Sequence, residues 1–335
     1  MNSVPQAFLC FVAVALGTAC SEHTKITSDL DNYSQRLQSY TGITLSEENF
    51  SYNLQPPAKN ELKHDIPEIT INLREFYALN DCALHQLIAE RNTALGKMQL
   101  PSGRYAYESA LLVELKQCVQ SLQSKPEKQA ISEKLIEWTT LKQQQLPLVW
   151  ANLITQSTEV FAHFTNANNF ISGTPSDNFQ STKQALKFIL DSETEHPVNI
   201  SELELHLQQL ANSPLLARQW RTQLLISQKL DHISPLLAEY VETNQCKTLT
   251  EKKGIQIMQN IFRKLFADTI QPLAGELNRY HYQLGPYIEQ LTLSPHFVNS
   301  FGDYLRRHNQ YNYQIYRKSM DTHIKLWQEI FSRCK

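Results

Sequence analysis

Glycine is scarce in this chain, 9 among 335 residues. That is too few for a protein built on phosphate-cradling loops or on the many tight turns of a mainly β fold. No long stretch alternates polar and apolar residues in the manner of a half-buried strand. Neither charge sign dominates, with 31 basic and 33 acidic residues. A nucleic-acid partner or a polybasic membrane surface is therefore not expected. There is no HExxH word and no close His/Cys pair at ligand spacing, so no metal and no cofactor are expected. No catalytic signature occurs either. Hydrophobic residues make up 41% of the chain, enough for a sizeable core. The longest apolar run, from Ala7 to Ala19, spans 13 residues, well short of the roughly 20 that cross a bilayer as a helix.

That run has the length of a signal-peptide h-region, and Gly17, Thr18 and Ala19 supply the small residues that a signal peptidase needs. The chain turns polar at Cys20. Ordinary cleavage after Ala19 would leave a free N-terminal cysteine, lipoprotein processing would make Cys20 an acylated anchor, and an uncleaved anchor is the third outcome. The segment resembles a bacterial lipobox, with Leu16 one position early and Gly17 at the usual Leu place. The n-region carries no Lys or Arg. Cysteine parity favours lipidation: Cys82, Cys118, Cys246 and Cys334 form an even set suited to an oxidising compartment, and only a lipidated Cys20 leaves no thiol over. Ser21 stands where Asp would signal inner-membrane retention in enteric bacteria. The resemblance thus implies an outer-membrane lipoprotein facing the periplasm, with the membrane as a partner through its lipid.

Downstream, apolar residues recur every three or four positions. Leu30, Tyr33, Leu37 and Tyr40 mark a first helix. Ile131, Leu135 and Trp138 mark another, opened by Pro126. Met258, Ile261, Phe262, Leu265 and Phe266 mark a third. Ser213-Pro214, Ser234-Pro235 and Ser294-Pro295 read as an N-cap followed by proline at the first helical position, and Ser201 with Glu204 reads as a capping box. The fold class is all-α, a bundle of antiparallel helical hairpins stapled by disulfides. Its expected division is a signal peptide at 1–19, a short helix plus linker at 20–69, helical lobes at 70–165 and 183–335, and a loop at 166–182. Residues 43–69 contain Pro56-Pro57 and no sustained period, so the first helix reads as tethered apart from the body.

Two hairpins can be measured from their turns. Leu84, Leu87, Ile88, Arg91 and Leu95 share a helical face, and Gly96 stands where a left-handed C-cap is needed. Cys82 lies 14 residues before Gly96, and Cys118 lies 16 after Ser102. At about 1.5 Å per residue both sulfurs reach the same level of an antiparallel pair. In the C-terminal region a helical stretch from Thr250, kinked at Pro272, runs to Gly285, and a long helix returns from Pro295. Its stripe is Phe301, Leu305, His308, Ile315, Met320, Ile324, Trp327, Phe331 and Cys334. Cys246 is 39 residues before Gly285 and Cys334 is 39 after Pro295. Of the three connectivities open to four cysteines, this geometry selects Cys82–Cys118 and Cys246–Cys334.

The run LREFYALNDCALHQLIAERNTALGKM, then Ser102, Tyr107, Glu108 and Cys118, and the ending HIKLWQEIFSRC resemble a proteobacterial family of lipoproteins catalogued only as a domain of unknown function. The resemblance extends over nearly the whole mature chain. It implies an envelope location and paired cysteines, and brings no activity.

Arg91, Asn92 and Glu108 are the candidate site, because a charged trio at a hairpin turn can grip an anion or a peptide end. The structural alternative is that Arg91 pairs with Glu108 while Asn92 caps a carbonyl. His308 and His323 lie on the apolar stripe, too far apart to share a metal, and read as satisfied core histidines. In DYLRRHNQYNYQIYR, helical spacing puts Tyr304, Tyr311 and Ile315 on one core-facing stripe. Glu133, Glu137, Glu239 and Glu242 sit at the spacing of a solvated helix face. The expected function is a non-enzymatic binding or scaffold protein for an envelope partner. An envelope hydrolase acting on cell-wall or glycan material is the alternative.

Overall fold

A computed structural model describes residues 25–47, 49–93, 96, 99–172, 178–244 and 246–333. Among the described residues there is no strand, and the fold is all-α. In chain order the helices are α1 (Lys25–Thr41), α2 (Leu73–Ala78), α3 (Ala83–Arg91), α4 (Pro101–Leu122), α5 (Gln129–Gln156), α6 (Thr158–Thr165), α7 (Phe179–Asp191), α8 (Ile200–Asn212), α9 (Leu215–Thr243), α10 (Leu249–Ile261), α11 (Ile270–Leu293), α12 (Asn299–Arg306) and α13 (Tyr313–Arg333). Side chains from both sides of residues 166–182 meet in one apolar core, with Tyr105, Leu112 and Trp150 beside Trp220, Phe266 and Trp327. A smaller cluster of Leu84, Leu111, Leu115 and Leu135 lies under the α3–α4 hairpin.

The first helix is not tethered apart. Leu30, Tyr33 and Leu37 are wholly buried in the main core. The Tyr33 hydroxyl lies 2.7 Å from His323 Nε2 and accepts the Trp327 indole N–H at 2.7 Å. The segment after α1 lacks helical period because it is a strap. Leu54 and Leu62 plug into the core, and the His64 backbone exchanges two 2.8 Å bonds with the Asn152 amide. Substituting Tyr33→Phe removes the hydroxyl and leaves buried partners unmet, which should lower the unfolding free energy by about 1–3 kcal/mol. A denaturant midpoint equal to that of the parent protein would show that α1 is not locked in this way.

The Ser-Pro words mark other positions than helix starts. Ser234-Pro235 lies inside α9, where the Ser234 hydroxyl donates to the Leu230 carbonyl at 2.6 Å. Ser213 closes α8 and Pro214 is the residue before α9. Ser294 ends α11, and α12 begins only at Asn299. The cap of α8 is Asn199, whose side chain accepts from the Ser201 and Glu202 amides, rather than a Ser201–Glu204 box. A serine hydroxyl can cap a helix or bond back within one, and local sequence does not separate the two.

Wide turns account for the remaining differences in the C-terminal region. The break after α10 is a π-helical segment, Phe262–Ala267, so the kink precedes Pro272, which sits in the first turn of α11. α11 then continues through Gly285 and Pro286 to Leu293. A second π segment, Arg307–Asn312, separates α12 from α13. One extra residue in a turn rotates everything beyond it by about 100°. Tyr304 and Leu305 are buried before it, His308 within it, and Tyr313, Tyr316 and Met320 after it. Tyr311 and Ile315, expected on the core stripe, are 56% and 53% exposed.

Cys82 and Cys118 are disulfide-bonded with their Cα atoms 5.5 Å apart, closing the open end of the α3–α4 hairpin. α3 ends at Arg91, with Asn92 in a right-handed conformation, so Gly96 is not a left-handed cap. Space explains it instead: a Cβ there would stand 2.8 Å from the Arg91 carbonyl oxygen and closer still to that of Glu90. Cys246 is disulfide-bonded; its expected partner Cys334 and the expected anchor Cys20 lie outside the described residues. The Arg307–Asn312 segment and α13 pack parallel to α9, with His308 stacked on Trp220, His323 beside Ser234, and Arg333 donating to the Val241 carbonyl. α13 also runs antiparallel to the stretch from Phe262 to Gly285, as the matched arms required. Phe262 meets Trp327 and Phe331, Phe266 meets His323, Tyr316 donates to the Ala274 carbonyl and Asn309, just before α13, to that of Gly285.

Candidate functional site

Three helices and the strap enclose a cleft of about 560 Å³ over the α3–α4 hairpin. α4 contributes Arg104, Tyr107, Glu108, Leu111 and Leu115, spaced so that all five fall on one helical face. α5 adds Trp138 and Lys142 at i, i+4, and α3 adds Ile88, Arg91 and Asn92 from its last turn. The fourth wall is the non-helical stretch from Glu68 to Ile71. Arg91, Asn92 and Glu108 therefore line a common cavity, as their position at the turn suggested.

Their pairing differs from the one expected. Glu108 is 2% exposed and is held by Arg104 at 2.6 Å and by Lys142 at 2.8 Å. Arg91 instead donates to the Gly96 carbonyl, with its guanidinium carbon 5.6 Å from the centre of the Tyr107 ring. Arg104 takes Glu108 because it stands one turn away on the same helix, the spacing at which side chains meet. Asn92 is exposed, and its backbone N–H, not its side chain, returns to the Ile88 and Ala89 carbonyls at 3.1 and 3.2 Å.

Among the described residues of the lining, three cations stand against two carboxylates, a balance of one positive charge. Lys142, 3% exposed, has the Glu108 carboxylate as its ion-pair partner in place of water. Tyr107 stays protonated. Burial pushes its hydroxyl up to about 12, with the Glu108 carboxylate adding to the shift and Arg91 and Arg104 opposing it. Arg104, Trp138, Lys142 and the strap were not singled out from sequence. The i−4 spacing to Glu108 is a signal for Arg104; for Lys142, on another helix, none exists.

Other polar clusters read differently. Ser234 Oγ lies 3.0 Å from His323 Nδ1, and Tyr33 lies beyond on Nε2. The spacing suits a nucleophile and its base, yet His323 and Tyr33 are wholly buried and Ser234 is 7% exposed. His323 joins α1, α9 and α13. His308 bonds the Leu54 carbonyl at 2.9 Å and Asn312 at 3.0 Å. Both are satisfied core histidines. A second concavity, about 290 Å³, lies beside the Arg307–Asn312 segment and includes His281, Glu289 and Tyr313. Among the described residues no three His, Cys, Asp or Glu side chains are placed to hold a metal, and no helix is long and apolar enough to cross a membrane.

Fold and cleft together define an all-α protein with a disulfide-closed hairpin beneath a charged, half-apolar cavity. The model of a family described as a protein of unknown function (DUF3080) matches residues 30–335, and the chain belongs to that family. Neither curated proteins nor solved structures gave a match.

Proposed function

We propose that this chain is an outer-membrane lipoprotein, anchored through Cys20 and facing the periplasm, that binds an envelope partner in the cleft over the α3–α4 hairpin without transforming it. The cleft itself carries the reading: about 560 Å³, with Ile88, Leu111, Leu115 and Trp138 in its lining together with Arg91, Arg104 and Lys142. Such a mixture of apolar lining and a few convergent polar groups is what binding pockets present. Glu108 is already engaged by two cations, which favours recognition over acid–base work by a carboxylate pair. The Cys82–Cys118 bond supports an oxidising compartment.

Two experiments test the proposal. A photo-crosslinking residue at Thr70, on the exposed side of the strap, should trap a discrete envelope component in living cells, and Arg91→Glu should abolish the adduct. Adducts that are unchanged by Arg91→Glu would remove the cleft from the interaction. Replacing Cys20→Ser should release the protein from outer-membrane vesicles. A variant that still floats with them at the same processed size would refute the anchor.

A further inference from the structure

The geometry points to a particular occupant for the cleft: the C-terminal end of an extended polypeptide, its terminal carboxylate at Arg91 and its backbone alongside Ile69–Ile71. This inference rests on the proposal that the cleft is a binding site.

The strap is the first reason. It is pinned at both ends, by Gln145 donating to the Pro67 carbonyl at 3.1 Å and by the Asn72 capping box that opens α2. Between those pins the main-chain groups of Ile69, Thr70 and Ile71 make no hydrogen bond to another described residue. A main chain held at both ends with free donors and acceptors is what an added strand pairs with. Charge is the second reason. Arg91 uses one nitrogen on Gly96, its guanidinium carbon lies 5.6 Å from the Tyr107 ring centre, and the residue lines the cavity. A guanidinium fork matches a carboxylate in two bonds, and the positive balance of the described lining suits a monoanion. Shape is the third. Ile88, Leu111, Leu115 and Trp138 form an apolar wall beside Arg91, where the last side chain of a peptide would lie. A cavity of about 560 Å³ admits a few residues and no folded domain.

The test uses the purified protein and pentapeptides randomised at the last three positions, all with free carboxylates. Peptides with an apolar final residue should be enriched. The best of them should bind about tenfold or more tightly as the free acid than as the amide, since a charge-assisted bidentate contact is at stake. N-methylation of its penultimate amide should weaken it by a similar factor, and Arg91→Ala should erase the acid–amide difference while leaving the thermal midpoint unchanged. Equal affinity of acid and amide overturns the inference. So does an N-acetylated single amino acid that binds as tightly as the pentapeptide, because strand pairing would then contribute nothing. No enrichment at all overturns it too, whereas the Thr70 crosslink then reports separately on whether the cleft binds something else. The acid–amide comparison needs no variant, so a failure of Arg91→Ala to fold does not blunt it.

Discussion

Between pH 7 and pH 5 the protein should lose on the order of 6 kcal/mol of stability, about 2 kcal/mol for each of three buried histidines. His163 is completely buried, its Nδ1 3.3 Å from the Leu210 carbonyl. Burial pushes it down to about 4, against the opposing effect of its bonds to the Leu210 and Ser213 carbonyls. His308 is lowered to about 4, chiefly by burial, and His323 to about 3 by burial alone. A folded value below the ordinary one means that the fold prefers the neutral ring. Above pH 6.5 neither state binds the proton and stability does not change. As pH falls from 6.5 toward 4 the unfolded chain takes up protons that the folded chain refuses, and stability is lost. At pH 5, 1.5 units below the ordinary value, each unit is worth about 1.4 kcal/mol per histidine. The total is comparable with the roughly 5–15 kcal/mol that most folded proteins possess. The carboxylates of Glu75, Asp81 and Glu251, lowered mainly by hydrogen bonds from Lys134, Lys125 and the Thr248 amide, add loss of the same sign only at more acid pH. Urea midpoints should be level from pH 8 to 7 and fall steeply by pH 5, and His163→Gln should flatten the slope by about a third. A level midpoint down to pH 5 would refute the buried, neutral state of these rings.

What could be read from the sequence is what depends on near neighbours. The all-α class follows from a 3.6-residue period that each helix carries by itself. The Cys82–Cys118 bond follows from a hairpin short enough that counting residues fixes the level of both sulfurs. The exposure of Tyr311 and Ile315 was not legible, because the π segment at Arg307–Asn312 inserts one residue without an announcing proline or glycine, and phase is lost beyond it. The docking of α1 was not legible either, since Tyr33 finds His323 across 290 residues. At the site, Arg91, Asn92 and Glu108 stood out as charge and amide at one turn, and they do line one cavity. Lys142, which completes it, stands on a helix whose own pattern reads as ordinary. Residues 43–69 read as a linker because they have no period, while Thr70 and Ile71 are assigned to the helical lobe that follows; neither reading puts a wall of the cleft there.

Lys142→Met should destabilise the protein by about 3–5 kcal/mol, because it leaves a buried carboxylate short of a partner. Glu108 is 2% exposed, and Arg104, its other partner, has a side chain 24% exposed and shares its charge with water. Adding Glu108→Leu to Lys142→Met removes the orphaned charge and fills the space with apolar atoms of similar bulk. Replacements of whole buried ion pairs of this kind are often neutral or stabilising. The double variant should therefore regain most of what the single one loses, with Arg104 turning to solvent. Denaturant unfolding of the parent, both single variants and the double variant gives the coupling energy directly. If the losses simply add, the two side chains are not coupled across the cleft floor and the ion pair is not what holds α4 to α5 there. The double variant also keeps the net charge of the lining unchanged, one cation and one anion having gone together. It should thus keep the acid–amide discrimination of a bound peptide that Arg91→Ala removes, so that the floor of the cleft and its carboxylate grip are separable by mutation.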